Sequence, residues 1–118
     1  MTKYLGIDWG EKKIGLALGS SETGLAVVHG VTDDTGYIKE LCKDDDIDVV
    51  VVGELRDKNK NFDEFVDFLN TLGVRVELAD ERLTTKMAGN LDKSLKGKDD
   101  AVAAQIILQD FIDAKLRK

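Results

Sequence analysis

The order of apolar patterns predicts an α/β fold: a mixed five-stranded sheet, three antiparallel strands and then parallel ones, flanked by helices. Three observations carry that prediction. Residues 3–31 hold three short β-like segments separated by turn-rich stretches. Residues 47–52 form an aliphatic run broken only by Asp48, as in a strand buried on both faces. The later strand-like segments alternate with amphipathic helical ones, and helical crossovers make successive strands parallel.

Taken in order, residues 3–9 alternate and are rich enough in β-forming side chains for a first strand. Gly10-Glu11-Lys12-Lys13 is a tight turn, and residues 14–18 return as the second arm of a hairpin. After the turn residues of 19–24, residues 25–31 read as a third strand. Residues 35–43 show helical spacing through Ile38, Leu41 and Cys42, with Asp33 to Thr35 offering caps. Residues 47–52 follow as the fourth strand. In 61–72, Phe62, Phe65, Val66, Phe68, Leu69 and Leu72 recur at three- and four-residue steps, predicting a helix that Gly73 closes. Val74, Val76 and Leu78 alternate with Arg75 and Glu77 as the fifth strand. Thr84 or Thr85 can cap a short helix through Met87 and Ala88. Residues 89–97 have weak periodicity and are expected to form a mobile loop. The last helix is expected from about 100 to 116, with Ala104, Ile107, Leu108, Phe111 and Ile112 on its apolar face.

The chain has 118 residues, which suits one domain spanning 1–118. No apolar run is long enough to cross a membrane. The strand pattern begins at once, so no signal peptide and a cytoplasmic location are expected. The single cysteine, Cys42, excludes an intramolecular disulfide and reads as a small buried apolar residue. The net charge of −6 argues against a wholly basic, phosphate-gripping surface. The charge is uneven. Asp33, Asp34, Glu40, Asp44, Asp45, Asp46 and Asp48 crowd the first half and read as solvated surface. Arg82, Lys86, Lys93, Lys96 and Lys98 crowd a later stretch and could hold phosphate.

Parallel strands place ligands at their carboxyl ends. Asp8 ends the first strand, Glu54 the fourth, and Asp80 and Glu81 the fifth, so these acids are expected in one row. Asp100 opens the last helix one turn before Ala104, on its inward face. Converging carboxylates repel one another, and a bound cation removes that penalty. Magnesium takes oxygen ligands, and two such ions can activate water and stabilise a phosphodiester's leaving oxygen. No histidine is required, and His29, the only one, reads as structural or surface. Each acid has a plainer reading too: Asp8 and Asp80 as strand ends, Asp99 and Asp100 as helix starters that suit the N-terminal dipole. Their joint placement is what points to a site.

The same residues resemble a known family. Gly6-Ile7-Asp8-Trp9-Gly10 with Lys13-Ile14-Gly15-Leu16-Ala17, Val51-Val52-Gly53, Asp80-Glu81-Arg82-Leu83-Thr84-Thr85, and the run from Gly97-Lys98-Asp99-Asp100 to Gln105-Ile106-Ile107-Leu108 are similar to the YqgF/RuvX family. That family is the Holliday-junction-resolvase-like branch of the RNase H-like superfamily. The resemblance implies an RNase H-like fold and a divalent-metal-dependent endonuclease, a hydrolase in 5′ maturation of precursor 16S rRNA, using Mg²⁺ or Mn²⁺. Carried over by position, Asp8, Glu81 and Asp100 are the catalytic metal ligands, with Asp80 the alternative middle acid. Lys12, Lys13, Arg82, Thr84, Lys86 and Lys98 are the expected nucleic-acid contacts. Partners would be structured RNA or branched DNA, with no membrane, and the protein would be a monomer or homodimer.

The chain departs from the family after Val52-Gly53, where Glu54-Leu55-Arg56-Asp57-Lys58 lacks the usual proline. Glu54 is there either a fourth ligand or a surface residue. Trp9 either stacks a base or packs against the adjoining helix. Three alternatives stay open. A four-way DNA junction as substrate would require a dimer. Nucleotide binding, as in the actin-like ATPases that share this sheet, would require a second such domain. A non-catalytic RNA-binding ribosome-assembly factor would bind RNA without cutting it.

Overall fold

A computed structural model of the protein describes residues 1–54, 59–80 and 99–116. The described elements are β1 (Lys3–Asp8), β2 (Ile14–Ser20), β3 (Ala26–Thr32), α1 (Thr35–Asp44), β4 (Val49–Glu54), α2 (Lys60–Asn70), β5 (Arg75–Asp80) and α3 (Asp99–Leu116). The strands form one sheet in the order β3-β2-β1-β4-β5. β1, β2 and β3 pair antiparallel, and β4 and β5 join parallel to β1. This is the mixed sheet that the sequence predicts.

Strand alternation divides the sheet into two faces. On one, Leu5, Ile7, Leu16, Val50 and Val52 pack against Ile38, Leu41 and Cys42 of α1 and Phe62, Phe65 and Leu69 of α2. On the other, Tyr4, Ala17, Ala26, Val49 and Val51 pack against Ala104, Ile107, Leu108 and Ile112 of α3. The central strands are therefore buried on both sides, which is why 47–52 is aliphatic almost throughout.

Caps account for where the first two helices begin. Asp34 accepts the Gly36 amide at 2.8 Å and starts α1. Asn59 accepts from the amides of Asn61 and Phe62 at 2.9 and 3.2 Å, so α2 opens at Lys60, one residue earlier than its apolar stripe implies. Gly73, at φ +76, makes the left-handed turn from α2 into β5. β4 begins at Val49, later than the apolar run, because its two predecessors serve other purposes. The Ile47 amide donates to Cys42 at the end of α1, and an Asp48 carboxylate oxygen accepts the Lys3 amide at 2.9 Å. Two members of the acidic run, Asp34 and Asp48, thus order the backbone while remaining exposed, as are Asp33, Glu40, Asp44 and Asp46; Asp45 is half-buried.

α3 lies across β1, β2 and β3 and reaches β4. It comes unusually close because the strands beneath it present glycine. A Cβ at Gly6 would fall 2.6 Å from the Leu108 Cβ, one at Gly19 2.9 Å from the Ile112 Cδ1, and one at Gly53 2.7 Å from the Ile107 Cδ1. At Gly6 the Ala104 carbonyl of the helix would also lie 2.9 Å away and cannot yield as the Ile107 tip beside Gly53 can, so Gly6 above all sets the depth at which the helix seats. The short helix expected through Met87 and Ala88 and the loop expected at 89–97 lie outside the described residues. Among the described residues, no helix is long and apolar enough to cross a membrane.

Candidate nuclease site at the carboxyl edge of the sheet

Asp8 is the last residue of β1 and is half-buried. Tyr4 and Gly6 face α3 while Leu5 and Ile7 face the other helices, so alternation sends Asp8 to the α3 side. Its register partner on β2 is Gly15. Antiparallel partners have Cα atoms about 4.5–5.5 Å apart. The first turn of α3 rests on that same glycine: a Cβ at Gly15 would overlap the Asp100 carbonyl and lie 2.8 Å from the Ala101 amide nitrogen. Gly15 thus brings the backbones of Asp8 and Asp100 together, although 92 positions separate them in the chain.

The azimuth of Asp100 suits that convergence. Residues seven apart share a helix stripe, and Ile107, seven residues on, reaches Gly53 of β4. The stripe that carries Asp100 therefore leans toward β1 and β4, the side on which Asp8 stands. Asp100 is half-buried. Two carboxylate residues whose backbones meet at Gly15 are of the donor type that a hard divalent cation takes, commonly one or two at a time.

Glu54 does not join them. It continues the Val50, Val52 side of β4, is exposed, and pairs in register with Asp80. Alternation sets it on the α1–α2 face, opposite Asp8. The backbone of Asp80 ends β5 beside β4, and its side chain lies outside the described residues, as do Glu81, Arg82, Thr84, Lys86 and Lys98. Lys12 and Lys13 are exposed in the β1–β2 turn, next to the carboxyl edge. Trp9 packs its ring edge-on against Phe62 at 5.6 Å and tilted against Phe65 at 6.4 Å, so it is a wall of the α2 side rather than an open stacking surface. His29 accepts or donates a 2.7 Å bond with the Tyr37 hydroxyl and stacks on that ring, away from the acids. Cys42 is buried, and burial pushes its thiol up from 9.0 to about 11, which makes it inert as a nucleophile.

Two features of this site were not singled out from the sequence. The first is Gly15 as the meeting point of β1, β2 and α3; glycine inside a strand is a signal of close backbone approach. The second is a tie at the same edge. A carboxylate oxygen of Glu11 in the β1–β2 turn accepts from the side-chain amides of Asn59 and Asn61 at 3.2 and 3.4 Å, fastening the turn after Asp8 to the start of α2.

Residues 2–114 match the family model described as RuvX, Holliday junction resolvase. Among curated relatives, a protein of Anaplasma marginale named "Putative pre-16S rRNA nuclease" is 32% identical over 134 residues, covering 94% of this chain and 84% of the relative. One of the same name from Syntrophus aciditrophicus is 33% identical and covers 95% of this chain and 89% of the relative. Two solved structures share the fold. Thermus thermophilus RuvC in complex with a Holliday junction substrate superposes with a TM-score of 0.63 at 16% identity, over 98% of this chain and 96% of that one. Fowlpox virus resolvase with Holliday junction DNA gives 0.64 at 11% identity, over 98% and 99%. The sheet order, the helix laid over its glycines and the match along almost the whole length agree: the fold is RNase H-like, and the chain belongs to the RuvX family.

Proposed function

We propose that the protein is a divalent-metal-dependent endonuclease that hydrolyses phosphodiester bonds in structured RNA, with precursor 16S rRNA as the first candidate. The observation that carries this reading is the meeting of Asp8 and Asp100 at Gly15, in a chain of the RuvX family. Asp8 and Asp100 would hold Mg²⁺ or Mn²⁺, with Glu81 as the third ligand by family resemblance. A divalent cation held there supplies Lewis acidity that makes water a stronger nucleophile and offsets charge at the leaving oxygen.

The chain's own groups do the rest. Asp8 and Asp100 lower the local potential enough to retain the cation, and the packed α3 face limits their freedom. Lys12 and Lys13 offer positive charge to a phosphate backbone arriving at the sheet edge. By family resemblance, Arg82, Thr84, Lys86 and Lys98 are further contacts to that backbone. Cations used locally in this way let an acidic protein hold an anionic substrate. The names of the curated relatives favour pre-16S rRNA and hence a cytoplasmic setting. A second reading, cleavage of branched DNA, draws on the family description and on the junction-bound RuvC and fowlpox structures. It requires a dimer, because two strands must be cut.

The test is cleavage of a precursor 16S RNA fragment and a four-way DNA junction, assayed side by side with and without Mg²⁺ or Mn²⁺. Metal-dependent cutting supports the nuclease reading, and the substrate cut decides between RNA and DNA. Binding of RNA by folded protein with no cutting of either substrate would replace it with the assembly-factor reading.

A further inference from the structure

We infer that Gln105 and Gln109 are positioning residues that fix the register of α3 along the sheet and so hold Asp100 beside Asp8. The inference rests on the nuclease reading for its functional consequence, but its structural half stands alone.

Gln109 uses its whole side-chain amide. Its Oε1 accepts the Ala26 amide at 2.8 Å, and its Nε2 donates to the Gly24 carbonyl at 2.9 Å and to the Asp113 carboxylate at 3.0 Å. Gln105 donates to the Ala26 carbonyl at 3.0 Å. The reversed amide orientation of Gln109 would set donor against donor at Ala26, so the bonds define it. Ala26 is the first residue of β3, an edge strand, and lies opposite Gly19 of β2. Both of its backbone polar groups point outward, and the two glutamines fill the place of a neighbouring strand. Both side chains are partly buried.

The need for such a clamp follows from the floor beneath the helix. Helices normally lock by setting ridges of side chains into grooves. Gly6, Gly15 and Gly19 present no side chain to α3, so the ridges that could fix it come only from neighbours such as Tyr4, Ala17 and Val51, and apolar burial by itself is non-directional. Hydrogen bonds supply the missing direction. Gln105 and Gln109 are one turn apart on one side of α3, facing β3, whereas Asp100 and Ile107 lie on the side facing β4. Asp100 is five residues from Gln105, about 7.5 Å along the axis. A slip of one residue would displace it by about 1.5 Å, and misplacing a reacting group by about 1 Å can cost roughly 100-fold in rate.

The experiment compares wild type with Gln105→Ala, Gln109→Ala and Gln109→Met, which retains length and apolar contact. Amide exchange is followed in the metal-free protein, alongside cleavage and its Mn²⁺ dependence. The clamp predicts that the amides of residues 103–106, which donate to the carbonyls of the first turn of α3, lose about 10-fold or more in protection while β1, β4 and α2 keep theirs. It also predicts kcat lower by about 10- to 100-fold with KM within about threefold, and a several-fold higher Mn²⁺ requirement. A lowered melting temperature with wild-type exchange at residues 103–106 and unchanged kcat and Mn²⁺ requirement would overturn the inference. If the alanine variants do not fold, Gln109→Met decides on the same readouts. Should wild type cut neither substrate, the nuclease reading fails, and exchange alone still confirms or rejects the clamp.

Discussion

Gly15 and Asp100 touch backbone to backbone, with no room between them for a single methyl group. The pairing of Gly15 with Asp8 sets that contact beside the end of β1. Gly15→Ala is therefore expected to push the first turn of α3 off the sheet. Overpacking of this kind costs about 1–3 kcal/mol, and the displaced Asp100 should lower kcat by about 100-fold. Urea unfolding and single-turnover cleavage read the two effects separately. Wild-type kcat in Gly15→Ala would show that the helix can shift without disturbing the chemistry.

Asp8→Asn keeps the size of the side chain and removes its charge. Cleavage should fall by about 1,000-fold or more, in the range typical for loss of a principal electrostatic group. The melting temperature should change little, since Asp8 is half-buried at a strand end. Circular dichroism with the cleavage assay checks both halves.

Trp9 should prove structural. Its contacts with Phe62 and Phe65 tie the end of β1 to α2, and truncation to alanine should cost about 3 kcal/mol. Trp9→Phe should leave nucleic-acid affinity within about twofold, whereas loss of a base stack would cost about 1–3 kcal/mol. Fluorescence-anisotropy titration distinguishes these outcomes.

Cys42 links stability to alkaline pH. Its folded thiol ionises only near pH 11, against 9.0 for the free group. The folded state is thus favoured fully below pH 9, and that contribution is lost as pH rises through about 11. A loss of up to about 2–3 kcal/mol is expected across that window, and Cys42→Ala should remove this step from the pH profile. Thiol-reactive dye should label the folded protein slowly at pH 8.

Much of this was legible in the chain because it is local. The aliphatic run before Gly53, the stripe from Phe62 to Leu72 and the turn at Gly73 each report their own environment. Asp8 and Asp100 were legible as candidates because strand ends and helix starts can be read from pattern. The agency that joins them was not. Gly15 acts through a helix 85 positions away, and the glutamine clamp spans 79 to 85 positions. Glu54 illustrates the opposite difficulty. Its place at a strand end suggests a shared row, and only the alternation set by Val50 and Val52 assigns it to the far face. Element edges shifted for a similar reason: Ile47 and Asp48 look like strand but are engaged by Cys42 and Lys3.

The central claim is that Asp8 and Asp100 hold one divalent ion between them. Calorimetric titration of Mn²⁺ into wild type, Asp8→Asn, Asp100→Asn and the double variant tests it most directly. Each single change should weaken binding by about 10-fold or more, and the double change should add little to either, as coupled ligands do. Unaltered Mn²⁺ affinity in a folded Asp8→Asn or Asp100→Asn protein would contradict the account.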